Sequence, residues 1–244
     1  MKIMEEKFRE FFMDKKYRKV KNFMFNYLNR KHWIKKAYYT YNMEKGNVLD
    51  IGSGISPVSP EPRKTLFIDI SPEAVEFLKS INYKAEVGSI TKINWKVKSF
   101  KVILCSEVLE HIKDYNSALR EIHRVLTDDG LLILTIPVHM EYWDIDDEFV
   151  EHYRRFEPDK FKKELINSGF QIIEEKPIGS WIERKLTILT VKLFKKTKQE
   201  KINIIKVNLI ILINIFLYFI VRASLFFSSK ESTSIMMYVC RKSS

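Results

Sequence analysis

The chain has 244 residues, 45% of them hydrophobic and 30% charged, with 42 Lys/Arg against 31 Asp/Glu for a formal net charge of +11. That length suits one α/β domain with extensions, and the composition excludes a disordered chain. Its two cysteines, Cys105 and Cys240, exclude a disulfide framework, and the charged start MKIMEEKFRE lacks the apolar stretch of an export signal, so a cytoplasmic location is expected. The charge is uneven: +8 over residues 1–47, −6 over 48–179 and +9 over 180–244. Two basic flanks around an acidic centre point to an anionic partner for the flanks.

In chain order, residues 1–46 interleave basic and aromatic residues, with Phe8, Phe11 and Phe12, then Phe23, Met24, Tyr27 and Leu28, then Trp33, Tyr38 and Tyr41. The pattern predicts amphipathic helices that either lid a site or pack on the domain. Asn47–Ile51 (NVLDI), Thr65–Ile70 (TLFIDI), Phe100–Cys105 (FKVILC) and Leu131–Ile136 (LLILTI) read as buried strands. Near-continuous apolar runs of this kind belong in a parallel sheet covered on both faces. Ser71 and Pro72 open a helix over PEAVEFLKS, as an N-cap followed by proline at the first helical position. Asp114–Leu126 carries an apolar helical stripe, and Pro158–Ser168 is a third helix stopped by Gly169. The alternation predicts a doubly wound sheet that binds ligands beyond the carboxyl ends of its strands.

Those ends carry chemistry. Asp50 and the turn Gly52-Ser53-Gly54 follow the first strand, Asp69 ends the second, and Ser106 and Glu107 end the one at Phe100–Cys105. An acid 17 residues after Gly52 stands where a ribose-binding carboxylate belongs. A dinucleotide fingerprint needs glycine at position 57, which is proline, and no P-loop Gly-Lys-Ser/Thr is present. A nucleoside ligand without a pyrophosphate remains, and S-adenosylmethionine fits that description.

VLDIGSG, FIDIS, FKVILCSEVLEHI and VLTDDGLLILTIP, in this order and spacing, resemble the class I S-adenosylmethionine-dependent methyltransferases over about residues 47–176. The resemblance implies a seven-stranded, mostly parallel sheet whose last strand, SIMMYVC at Ser234–Cys240, is antiparallel. It implies a division into a basic helical extension (1–46), the cofactor-binding core (47–179), a helical insertion (180–230) and the returning strand (231–244). By it, Gly52 and Gly54 pass under the methionine part of the cofactor, with Ser53 between them and Asp50 near its amino group. Asp69 holds the ribose, with Ile70 beside it, Ser89 and Ile90 flank the adenine, and Ser106 and Glu107 floor the methyl site. Two departures stand out. Only ten residues, Ile55–Lys64, three of them proline, link the glycine turn to the next strand, so a short irregular link replaces the usual helix. Ser89 occupies a position where the family often has Asp.

Glu107, Glu110 and His111 share one face if their segment is helical, and His152 joins them from the loop after the fifth strand. The Glu-x-x-Glu-His pattern is similar to the metal-assisted O-methyltransferases of ubiquinone synthesis and of small-RNA 3′ ends, where such residues hold a divalent ion. The alternative is ordinary packing with no metal, and that is the expectation here. His152 and His111 are then the candidate catalytic residues, as bases toward a substrate hydroxyl.

In the last third, Lys185–Lys196 places Leu186, Leu189 and Leu193 on one face and Lys185, Lys192 and Lys196 on another. Val207–Val221 then runs 15 residues without a charge, short of the ~18–20 that cross a bilayer. The strand at Ser234–Cys240 must also return to the sheet. The expectation is a segment lying at the inner membrane surface, a wall around an apolar substrate, or a homodimer interface. Three readings follow: methyl transfer to a small amphipathic or lipid-linked acceptor, with O-methylation first; RNA 2′-O-methylation using the basic flanks; and a non-catalytic cofactor-binding module at a membrane.

Overall fold

A computed structural model describes residues 19–197 and 204–243. The expectations for Phe8, Phe11 and Phe12, and for the side chain of Lys196, fall outside the described part. Seven strands form one sheet in the order β3-β2-β1-β4-β5-β7-β6. These are β1 Val48–Ile51, β2 Thr65–Asp69, β3 Lys84–Val87, β4 Phe100–Ser106, β5 Leu126–Pro137, β6 Phe170–Pro177 and β7 Ile235–Lys242. The first five pair in parallel, and β7 runs antiparallel to both neighbours, β5 and β6.

The helices are α1 Phe25–Thr40, α2 Pro72–Ser80, α3 Tyr115–Val125, the short α4 Ile145–Phe149, α5 Pro158–Asn167, α6 Trp181–Thr197 and α7 Ile204–Ser224. Ser71 caps α2 by accepting from the Ala74 amide at 3.2 Å, with Pro72 at the first helical position. Asp114 caps α3 through the Ser117 amide. The apolar stripe of α3 (Ala118, Leu119, Ile122, Val125) is fully buried against one face of the sheet, together with Phe161 and Leu165 of α5. On the other face, Ile34, Ala37 and Tyr38 of α1 pack with Val48, Leu104 and Val239. Burial on both faces is why these strands read as continuous apolar runs.

The strand order reverses between β1 and β4, and in open α/β sheets the crevice at such a switch point takes the ligand. The link Ile55–Lys64 forms turns and no helix. Buried Asp50 organises it, its Oδ2 accepting the Val58 and Ser59 amides at 3.1 Å each, while Ser59 Oγ lies 2.7 Å from Thr65 Oγ1.

α7 is longer than the uncharged run that marks it. Together with the turn that follows, Ile205–Phe227 is 23 residues and long and apolar enough to cross a membrane by length and composition. The expected length argument against a span therefore fails, because the helix continues through Arg222 and stacks that guanidinium 4.5 Å from the centre of the Trp33 ring. Within the protein, α7 lies along α1.

Candidate functional site

The glycine turn stands at the carboxyl end of β1. Gly52 and Gly54 have φ of +67° and +54°, in the left-handed region that favours glycine. At Gly52 a Cβ would also come within 2.6 Å of Val108 Cγ2. The Gly52 amide donates to the Ile68 carbonyl (2.8 Å) and the Gly54 amide to Asp69 Oδ2 (2.8 Å). Asp69 Oδ1 accepts from the Ser71 amide at 2.9 Å. One carboxylate thus ties the turn to the start of α2, and its burial raises its pKa. Beside it, Ile70 is 76% exposed, an apolar side chain presented to solvent at a strand end. Asp50 Oδ1 and Ser53 Oγ are buried without a hydrogen-bond partner. Burial pushes the Asp50 carboxyl up to about 7. Two left-handed glycines, two orphaned polar atoms and a carboxylate with spare lone pairs fit a nucleoside carrying an amino-acid tail. Ser89 Oγ lies 2.9 Å from Thr91 Oγ1, and Ile90 is buried in the core.

At the end of β4, Ser106 Oγ lies 2.9 Å from Thr135 Oγ1. Glu107 adopts φ +55°, a strained conformation for a side chain with a Cβ. It is held there by its amide donating to the Thr135 carbonyl (3.0 Å) and by Thr135 Oγ1 donating to its Oε1 (3.1 Å). Its Oε2 lies 3.4 Å from Arg30 Nη1. Arg30 comes from α1, so the N-terminal helix reaches into the crevice. Next to it, burial would raise the Tyr27 phenol, but Lys21, Arg30 and Lys31 outweigh burial and hold it below its ordinary pKa. Lys31 Nζ and Ser56 Oγ both donate to Asn22 Oδ1, at 3.0 and 2.9 Å, which ties this segment to the loop after the glycine turn.

Glu107, Glu110 and His111 do not share a helical face. Leu109–His111 is a single 3₁₀ turn, and the left-handed Glu107 breaks the helix before it. Glu107 therefore turns toward Arg30, and Glu110 and His111 meet His152 instead. The His111 and His152 rings lie 4.6 Å apart, edge to face. One ligand atom from each of Glu110, His111 and His152 falls within 4.8 Å of the other two. Glu110 is fully buried, neither of its oxygens has a hydrogen-bond partner, and His152 Nε2 lies 3.7 Å from its Oε1. Burial and then Glu107 raise its pKa well above the carboxylate range, which favours the neutral acid. Burial and the neighbouring His152 push His111 down to about 3, so it is a neutral imidazole.

His152 is oriented from behind. Its Nδ1 lies 2.7 Å from Asp147 Oδ1, and Asp147 Oδ2 accepts from Arg155 Nε (2.9 Å) and from Arg184 (3.0 Å). Burial opposes the charge on Asp147, but its hydrogen bonds from His152 and Arg155 keep its pKa below the ordinary value. An ionised carboxylate only accepts, so Nδ1 carries the proton and Nε2 presents its lone pair toward Glu110. Asp147 lies in the acidic run DIDDEF, where sequence offers no means of choosing among Asp144, Asp146 and Asp147. Arg30, Arg155 and Arg184 escaped sequence reading too, since each finds its acid through the fold. A cleft of about 460 Å³ at the opposite, amino-terminal end of the sheet, lined by Asn47, Tyr83 and Trp95 among others, lies away from all these groups.

Residues 12–175 match the methyltransferase-domain family, so the chain belongs to it. Its core is an S-adenosylmethionine-dependent methyltransferase domain. An uncharacterised methyltransferase of Bacillus subtilis, YcgJ, is 29% identical over 135 residues, which is 51% of this chain and 53% of that one. A probable S-adenosylmethionine-dependent methyltransferase of Mycobacterium tuberculosis, MT3114, is 25% identical over 153 residues, covering 59% of this chain and 56% of its own. The chain thus matches only about half the length of these curated relatives. Among solved structures, a putative sarcosine dimethylglycine methyltransferase from Galdieria sulphuraria superimposes with a TM-score of 0.61 at 14% identity, over 89% of this chain and 86% of that one. At that identity the likeness concerns the fold.

Proposed function

We propose that this protein transfers a methyl group from S-adenosylmethionine to a hydroxyl of a small amphipathic or lipid-linked acceptor, working at the inner face of a membrane. The observation that carries the reading is His152: an imidazole fixed by a buried carboxylate, with Nε2 free to take a proton, at the carboxyl ends of β4 and β5. S-Adenosylmethionine, when bound, supplies an electrophilic methyl group on sulfur. The chain's part is to align the acceptor oxygen with that methyl and to receive the hydroxyl proton. Positioning of this kind accounts for much of a displacement's acceleration. As the carbon–oxygen bond forms and the carbon–sulfur bond breaks, His152 Nε2 accepts the proton. Asp147 stabilises the resulting imidazolium, and Arg155 and Arg184 keep Asp147 ionised. Gly52, Ser53, Gly54 and Asp50 form the cradle for the amino-acid tail, Asp69 and Ile70 the ribose side, Ser89 and Ile90 the adenine side, and Ser106 and Glu107 the floor.

The test is transfer of a labelled methyl group to extracted lipids and to total RNA from the same cells. Label in the lipid fraction that is lost in His152→Ala supports the proposal. Label confined to RNA would replace the acceptor with a ribose hydroxyl, and no transfer to either would leave a cofactor-binding module.

A further inference from the structure

α7 carries its polarity on the inside. Its buried stripe, Val207, Asn214, Val221 and Ser224, faces the protein, and the polar members are all engaged. Asn214 Oδ1 accepts the Phe25 amide at 3.2 Å, which caps the start of α1 where Met24 offers no capping side chain. Ser224 Oγ donates to Ser180 Oγ at 2.6 Å, and Tyr218 Oη lies 3.3 Å from His32 Nδ1. The outer face is the reverse. Leu209, Leu212, Phe216 and Phe219, at helical spacing, are each more than half exposed, and Phe226 and Phe227 beyond the helix end are 90% and 84% exposed. Only 17% of the apolar window is buried, so α7 is not a core helix. An exposed apolar surface of this extent marks an interaction site.

We propose that the outer face of α7 docks the protein in the plane of an anionic lipid surface. Charge complementarity selects this occupant. α7 contains no acid, its Lys206 is exposed while Arg222 is turned inward onto Trp33, and Lys185 and Lys192 stand exposed on the adjoining α6. A bilayer-crossing orientation would take α1 with it, because the two helices are joined from Phe25–Asn214 to Trp33–Arg222, and α1 presents the exposed Lys35 and Lys36. It would also displace β7, which re-enters the sheet between β5 and β6 only eight residues after Phe227. A helix lying flat buries one face at a depth of about 5–10 Å, which is the depth of one side-chain layer here. The inference deepens the membrane-surface reading and places the acceptor's entry beside α1, whose Arg30 meets Glu107.

The test uses the full chain with vesicles of phosphatidylcholine alone or mixed with phosphatidylglycerol, read by flotation. Binding is expected to the mixed vesicles, to weaken but persist at high salt, and to be lost in a Phe216→Glu, Phe219→Glu double variant that keeps the parent's melting temperature and cofactor affinity. Flotation unchanged by that variant overturns the proposal. So does a concentration-dependent dimer that the same substitutions dissolve without any vesicle binding, which would make the face an interface between two copies. Retention in cell membranes through alkaline carbonate would identify a true span and overturn it too. Flotation does not read methylation, so a docked protein that transfers nothing to lipids refutes the acceptor and leaves the docking intact.

Discussion

Asp69 accepts the Gly54 amide on one oxygen and the Ser71 amide on the other, and in the proposed site its remaining lone pairs take the ribose hydroxyls. Asp69→Ala would unhook the glycine turn as well, so Asp69→Asn is the informative change. Losing a charged acceptor for ribose hydroxyls should weaken S-adenosylmethionine binding by about 1.5–3 kcal/mol, read by calorimetry. Unchanged affinity in a folded variant would remove Asp69 from the ribose. The Glu110, His111 and His152 group gives a second residue-scale test. If His152 works as a base against Asp147, full activity should survive excess chelator. Loss of activity restored by Mg²⁺ or Mn²⁺ would assign the three residues to an ion instead. The placement of the glycines, Asp69 and Ser106-Glu107 at strand ends was legible because it depends on local backbone and spacing. The partner of His152 was not, because Asp147 is one of three acids in a row and only the turn of α4 selects it.

At the scale of elements, the buried strands other than β5 and the helices α2, α3 and α5 follow from their patterns to within a residue or two. The edge strand β3 is less visible, because only Ala85 of its four residues is buried and the apolar pattern almost vanishes. β5 begins five residues before its apolar run, at Leu126, where a register shift against β4 accommodates the polar segment TDDG. The relation between α1 and α7 was hidden, since it rests on a bond from the Phe25 amide to the Asn214 side chain, 189 residues apart. Asn214→Ala should leave the Phe25 amide uncapped and cost about 1 kcal/mol. For a domain of this size that lowers the melting temperature by roughly 2–4 °C. A melting curve identical to the parent's would show that α1 does not depend on this cap.

Over the whole molecule, acids buried in the crevice couple stability to pH. Burial pushes Glu183 up to about 8, although Arg30 lies nearby and the Asn29 amide donates to it at 2.8 Å. It pushes Asp50 up to about 7. The folded chain therefore keeps protons on these carboxyls at pH values where the unfolded chain has released them. Stability falls as pH rises through that interval, from the ordinary values near 4 up to about 7 and about 8. His32, His111 and His123, lowered chiefly by burial, act in the opposite sense, but their effect is complete once pH exceeds their ordinary value of 6.5. Above about pH 6.5 the raised acids, Glu110 among them, set the slope against the opposing lowered Lys31 and Tyr27, so the melting temperature should decline between pH 6.5 and 8.5. Glu183→Gln still accepts the Asn29 amide but has no proton to lose, so its curve should be flatter over the same range. The variant should melt higher than the parent at pH 8.5 and nearly the same at pH 3, below the ordinary value, where Glu183 is protonated in both states. Parallel curves, or a variant that melts lower at pH 8.5, would mean that Arg30 stabilises an ionised Glu183 in the folded protein and that burial does not govern this carboxyl.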